Sequence, residues 1–513
     1  MAHVTAPVRT ADRDEGGSGG TDVDRASTGG TDVDRALGPS PSTARAHRRT
    51  AASAAATFLL LLGVFLASPV VSRSDPALVP YTARAILHDG DADLRGYGLR
   101  SDYYGLIEDQ GRVVSYFPVM SAVFAVPFVA AQDLLSTTGL VPSVLDDARA
   151  HHGQVDPVQR VGAGAIGAAA VVVLALVARR LLRLTGDRGA AARADRWWFL
   201  PVTSVALALG TSVWSTASRG LWQHGPGLLL VGAAWLAALH LAGRDHRPGR
   251  LDLAVAVASG AAAGLAVWVR PTNAVFGVAV LVFVVATGRR WSTWALGAAG
   301  ALVAGGLLDL AVLGTAVPPY FRSGRFELHD QFAQAVGANL VSPARGLLVF
   351  SPVLLLSLLA LGPVRRRLLG AEVSMFAVLA LGATLLVALA ASGYAERWWA
   401  GYSFGPRFLT ETVAVLGPVV ALVVFGPRPP GAWSRAVGTV LAPALLAVSV
   451  LVHAGGALTP ASECWNGSPV AVDDRPSRVW DWSDAQALLG LRLLASGQVG
   501  ADVRSCEAGR THA

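Results

Sequence analysis

The chain contains no lysine: all 42 of its Lys+Arg residues are arginine. That absence excludes a phosphate-binding loop lysine, a Schiff-base lysine and the lysine of a kinase-type ATP clamp. Cysteine is nearly absent too, with only Cys464 and Cys506, too few for a zinc ribbon or an iron–sulfur cluster. Charge is scarce, at 15% of 513 residues against 53% hydrophobic. A soluble protein of this length carries far more charge. The net charge of +7 comes from arginines that flank apolar runs, the pattern of cytoplasmic helix ends rather than of a nucleic-acid surface.

What the sequence has in abundance is apolar runs of membrane-spanning length, and its mean hydropathy is +0.47. The predicted architecture is all-α and polytopic, with about eleven crossings. They cover residues 51–72, 159–183, 197–217, 225–242, 251–269, 272–287, 291–313, 346–364, 371–392, 408–426 and 435–455. Before them, residues 1–50 repeat GGTDVDRA and hold too little apolar sequence to fold, so they read as a disordered cytoplasmic tail. The transmembrane domain is then 51–455, and 456–513 forms a separate C-terminal segment.

Arginine clusters orient the spans. Arg179, Arg180, Arg183, Arg188, Arg193 and Arg196 share one loop, and Arg365 to Arg367 occupy another. An N-terminus in the cytoplasm puts all of these inside, in a cell membrane, with the C-terminus outside. The apolar stretch 116–135 then cannot be a crossing, because it would reverse that parity. It reads as a helix at the interface, and 73–158 becomes a large outer loop. Both cysteines fall in the outer tail, where a Cys464–Cys506 disulfide is stable; two free thiols are the plainer alternative.

Polar chemistry belongs where these loops meet the membrane surface. Asp75 follows the first span by a few residues, a place where a carboxylate can be tuned as a general base. It can equally cap a helix beginning at Pro76. Glu327, His329 and Asp330 match no strong metal-ligand spacing, so no metal or other cofactor is assigned, and a divalent ion has no clear ligand set. His224 sits in a tight outer loop beside Trp222 and Gln223. An ordinary polar contact is its simplest role.

The run Asp75, Tyr81, Ala83, Arg84, Leu87, Gly90 and Asp91 resembles the first periplasmic loop of the GT-C superfamily of membrane glycosyltransferases. That superfamily includes lipid A aminoarabinose transferases and protein O-mannosyltransferases, and the resemblance points to a bacterial branch of it. Tyr116-Phe117-Pro118 occupies the place of the family's proline-rich segment. Arg270-Pro271-Thr272, Ser342 to Pro352, and Trp398 to Arg407 look like recurring elements of bacterial relatives. Two departures stand out: Pro76 replaces a second acid, and the proline segment lacks the lysine some relatives use on the donor phosphate.

The resemblance implies a juxtamembrane-helix first loop and inverting transfer of a sugar from a polyprenyl-phosphate donor, on the outer face, to a cell-envelope glycan, lipid or protein. Asp75 would be the catalytic base. Arg407, Arg270, Arg345 and Arg219, with His224, would bind donor phosphate, while Trp399 and Tyr402 would stack on sugar. Snorkelling arginines and an interfacial aromatic belt explain the same residues without a ligand. Two other classes remain open on sequence: a transporter or flippase of a lipid-linked or anionic substrate, for which Asp309 is the one embedded acid, and a noncatalytic membrane scaffold.

Overall fold

The computed structural model describes residues 41–72, 74–99, 103, 105–141, 143, 157–243, 249–288, 290–322 and 326–500. Most of the N-terminal tail and Cys506 lie outside the described residues. Residues 49–513 form one compact unit, so the C-terminal segment is part of the same body as the helices before it. Residues 1–48 are a second unit, described only from Pro41, where the first helix begins.

The protein is predominantly helical, and among the described residues eight helices are long and apolar enough to cross a membrane. They are Arg45–Ala67, Pro157–Leu184, His224–Leu241, Arg250–Val269, Trp291–Leu313, Ala371–Ser392, Arg407–Phe425 and Ala432–Leu458. At 1.5 Å per residue each reaches about 27 Å or more, close to the hydrocarbon thickness of a bilayer. The other three expected crossings are shorter or broken. Residues 197–217 divide into Phe199–Leu209 and a π-helical turn, Val213–Ala217, with Gly210 closing the first piece. Residues 346–364 are interrupted at Ser351-Pro352, where a four-residue α-helix gives way to the 3-10 helix Pro352–Leu361. The proline removes the amide donor an α-helix needs and clashes with the preceding turn. Pro271–Ala286 falls short of full spanning length.

Small residues let these helices approach closely, as lipid-embedded packing requires. A side chain on Gly260 would collide with the Trp294 carbonyl, and one on Gly297 with that of Val257, so Arg250–Val269 and Trp291–Leu313 meet backbone to backbone. Deeper in the bundle, Trp235 packs edge-on against Phe283 and Phe376, with centroids 5.4 and 4.7 Å away, and joins three helices.

Within this predominantly helical protein the first loop also carries one short hairpin. Leu106–Asp109 pairs antiparallel with Arg112–Ser115 through Gln110-Gly111. Both turn residues have positive φ, 51° and 69°, as a twisted two-residue hairpin requires. Arg112 donates to the Val312 carbonyl at 2.8 Å and fastens the hairpin to the end of Trp291–Leu313. Met120–Ser136 is a 17-residue helix below spanning length. It packs against Val79–His88 through Val79, Ala83, Ala122, Ala125 and Val129, and Asp133 is 3.3 Å from Arg84 and 2.9 Å from His88.

Candidate active site

The site is assembled where the first helix gives way to the loop. Asp75 opens a single 3-10 turn, Asp75–Leu78, in which Ser74 rather than Asp75 holds the cap position. Buried Gln159 fixes the turn by donating to the Pro76 carbonyl, while its Oε1 accepts from the Leu221 amide at 2.8 Å. Gly220 faces Pro76 so closely that an added Cβ would lie 2.9 Å from the proline ring.

Opposite Asp75 stands Arg407, the first residue of a 3-10 turn that runs into Val413–Phe425. Its Nη1 donates to Asp75 Oδ2 at 2.9 Å. The guanidinium lies 4.6 Å from the Trp222 ring and 5.4 Å from that of Phe408, a geometry that favours a cation. Its Nε is buried without a hydrogen-bond partner among the described residues.

Arg270 reaches the same place from the end of Arg250–Val269. It is buried and bound, not snorkelling: Nη1 donates to Glu411 Oε2 at 2.9 Å and to the Phe408 carbonyl at 3.0 Å. Glu411 also pairs with His224 Nδ1 at 3.0 Å. No sequence reading singled out Glu411. The signal was present, since an acid four residues into an apolar span needs a buried cation.

Asp75, Arg270, Arg407, Tyr320, Phe117 and Phe408 line two adjoining cavities. The smaller, about 30 Å³, also touches His224 and Trp222 and has room for about one water. The larger, about 1600 Å³, extends past Tyr394, Glu396, Arg397 and Tyr402 to Glu463, Asn466 and Asp473. Tyr103 lines it too, with its hydroxyl donating to the Ser74 carbonyl at 3.0 Å. Burial, and secondarily the Asp75 charge, push the Tyr103 hydroxyl up to about 12, so it remains a donor at neutral pH.

Three residues expected in the site lie elsewhere. Arg345 is wholly buried, donating to the carbonyls of Ala344, Trp399 and Gly401 and to Gln486 and Asn466 side chains. It cross-links the 393–407 loop to the C-terminal segment. Arg219 donates to the carbonyls of Phe65 and Ser68 at the end of the first helix, so it supports the Asp75 turn from behind. Trp399 is buried and donates to Asp473 at 2.7 Å; Tyr402 does line the larger cavity and is 46% exposed. Asp309 is buried in Trp291–Leu313 and lines neither cavity. His329 bonds the Ser392 carbonyl. Cys464 is disulfide-bonded, and the expected partner, Cys506, lies outside the described residues.

No protein-family model matches the chain, and no curated protein matches it. Two solved structures are similar. One is the archaeal oligosaccharyltransferase AglB from Archaeoglobus fulgidus in complex with an inhibitory peptide and a dolichol-phosphate. It is 14% identical, with a TM-score of 0.44, over 84% of this chain and 59% of that one. The other is the Archaeoglobus fulgidus oligosaccharyltransferase in the apo form, 13% identical with a TM-score of 0.41, over 85% and 60%. The chain thus spans less than two thirds of either, and a likeness at this level carries no weight in assigning chemistry.

Proposed function

We propose that the protein is an inverting GT-C-type glycosyltransferase of the cell membrane, which moves a sugar from a polyprenyl-phosphate donor to a hydroxyl-bearing cell-envelope acceptor on the outer face. The observation that carries this reading is the Asp75–Arg407 pair at the wall of a large cavity, with Arg270 beside it. Planar, charged guanidinium donors grip a phosphate well, because they can reach two of its oxygens at once. Arg407 Nε has no hydrogen-bond partner among the described residues, and Arg270 brings a second guanidinium whose bonds to Glu411 and the Phe408 carbonyl both run through Nη1.

The chemistry asks little more. The acceptor oxygen attacks the anomeric carbon as the bond to the phosphate oxygen breaks, through an oxocarbenium-like state, and the acceptor's proton passes to Asp75. One carboxylate suffices because the leaving group is already a phosphate. As Asp75 takes the proton it ceases to neutralise Arg407, while the departing phosphate gains a negative charge. Arg407 is thereby released to the leaving group when it is needed. Tyr402, on the cavity wall, offers a ring to a sugar face. The opposite partition of arginines supports the orientation. Arg180 binds the carbonyls of Leu239 and Ala242 at one end of His224–Leu241, whereas Arg270 and Asp75 lie beyond the other. The disulfide at Cys464 agrees with a C-terminal segment outside.

The test is transfer from a panel of radiolabelled hexosyl and pentosyl undecaprenyl phosphates in membranes containing the full chain. Label moving to an envelope acceptor, and lost with Asp75→Asn, is the expected outcome. Movement of intact lipid-linked sugar between leaflets without transfer would replace this reading with a flippase.

A further inference from the structure

Glu411 is a buried carboxylate that the reaction above does not use, yet both of its oxygens are spent on residues that wall the smaller cavity. Oε2 takes Nη1 of Arg270 at 2.9 Å, and Oε1 takes Nδ1 of His224 at 3.0 Å. The Phe408 carbonyl accepts from the same Nη1 at 3.0 Å, and the guanidinium stands 5.2 Å from the Phe408 ring. One end of the fork is therefore fully committed to the protein. A guanidinium is planar and rigid, so fixing Nη1 on two acceptors also fixes the Nε–Nη2 edge. Room for the carboxylate comes from Gly227, where an added Cβ would lie 3.1 Å from Glu411 Cγ and 3.0 Å from Asn273 Nδ2.

We propose that Glu411 is a positioning residue, which aims the Nε–Nη2 edge of Arg270 at the donor phosphate and holds His224 against the same wall. This rests on the reading of Arg270 as a phosphate ligand. A buried carboxylate so close to a phosphate site otherwise opposes binding, because it repels the anion through a medium of low polarity. Positioning and simple charge balance thus predict opposite signs when the charge is removed.

The experiment measures binding of undecaprenyl phosphate to the full chain in nanodiscs, with uncharged undecaprenol as the control. Wild type is expected to prefer the phosphate. Glu411→Gln keeps the shape and loses the charge, and positioning predicts at least a threefold weaker affinity for the phosphate with undecaprenol unchanged. Glu411→Asp keeps the charge but shortens the reach, and the same loss is expected. In an Arg270→Ala background, Glu411→Gln should add nothing, since there is no longer a fork to aim. Tighter binding by Glu411→Gln, or full affinity in Glu411→Asp, overturns the proposal and leaves Glu411 a counter-charge. Should neither variant fold, Gly227→Ala presses on the carboxylate without altering its chemistry. A threefold loss there supports positioning, and wild-type affinity overturns it. If wild type shows no preference for the phosphate, the donor reading itself falls, and Glu411 is judged without ligand. Modification of Arg270 by phenylglyoxal, mapped by mass spectrometry, should run at least threefold faster in both Glu411 variants or in Gly227→Ala, and an unchanged rate overturns positioning.

Discussion

Asp75 and Arg407, 332 residues apart in the chain, meet through a 2.9 Å hydrogen bond at the wall of the cavity. On the proposed reading, a base already paired with the cation that receives the leaving group links proton transfer to charge stabilisation. Each side of the pair can be separated by substitution.

Asp75→Asn should lower transfer by on the order of 10²-fold or more, the usual contribution of a general base. The same variant should bind undecaprenyl phosphate more tightly than wild type, by a few-fold, because Arg407 loses its competing carboxylate. Arg407→Ala should bind it more weakly. Paired affinity and turnover measurements decide this, and normal turnover in Asp75→Asn would remove Asp75 from the chemistry.

Arg345→Ala should act on stability rather than on binding. It strips the partner from several buried acceptors at once and undoes the link between Trp399, Gly401, Gln486 and Asn466. A loss of about 3 kcal/mol or more is expected. Thermal unfolding in detergent reads it, and a stable variant with weakened phosphate affinity would return Arg345 to the site.

Gly260→Leu should fail to assemble, since its side chain meets the Trp294 backbone and cannot be accommodated by a rotamer change. Gly300, with open space around it, is the control: Gly300→Ala should accumulate in membranes at the wild-type level. Comparable levels of the two variants would contradict the close helix crossing.

Tyr103 gives a pH signature. Its folded pKa is raised to about 12 from 10, so its contribution to stability is complete below pH 10 and disappears as pH rises through about 12. Ultraviolet difference titration of wild type against Tyr103→Phe should show no phenolate from this residue at pH 10.5. Substantial ionisation there would mean that the hydroxyl is open to water.

The long helices were legible because lipid imposes a length and forbids interior charge, so each uninterrupted run declared itself. Asp75, Arg270 and Arg407 were legible as charges next to those runs. Arg345 and Arg219 carry the same local signature, and what separates them is the set of carbonyl oxygens gathered round each guanidinium from remote parts of the chain. No local pattern contains that information. Glu411 did leave a signal, a single acid in an apolar run, but one that the run's hydropathy outweighs. The hairpin at Gln110-Gly111 depended on a turn that ordinary loop composition conceals.

The larger cavity has one further consequence, for kinetic order. About 1600 Å³ exceeds what a single sugar phosphate fills, and its lining includes both Asp75 and Asp473. On the proposed reading, donor and acceptor occupy it together before any bond changes. Initial rates measured against both substrates should then give intersecting double-reciprocal lines, the mark of a ternary complex, and never the parallel lines of an enzyme that stores the sugar on itself.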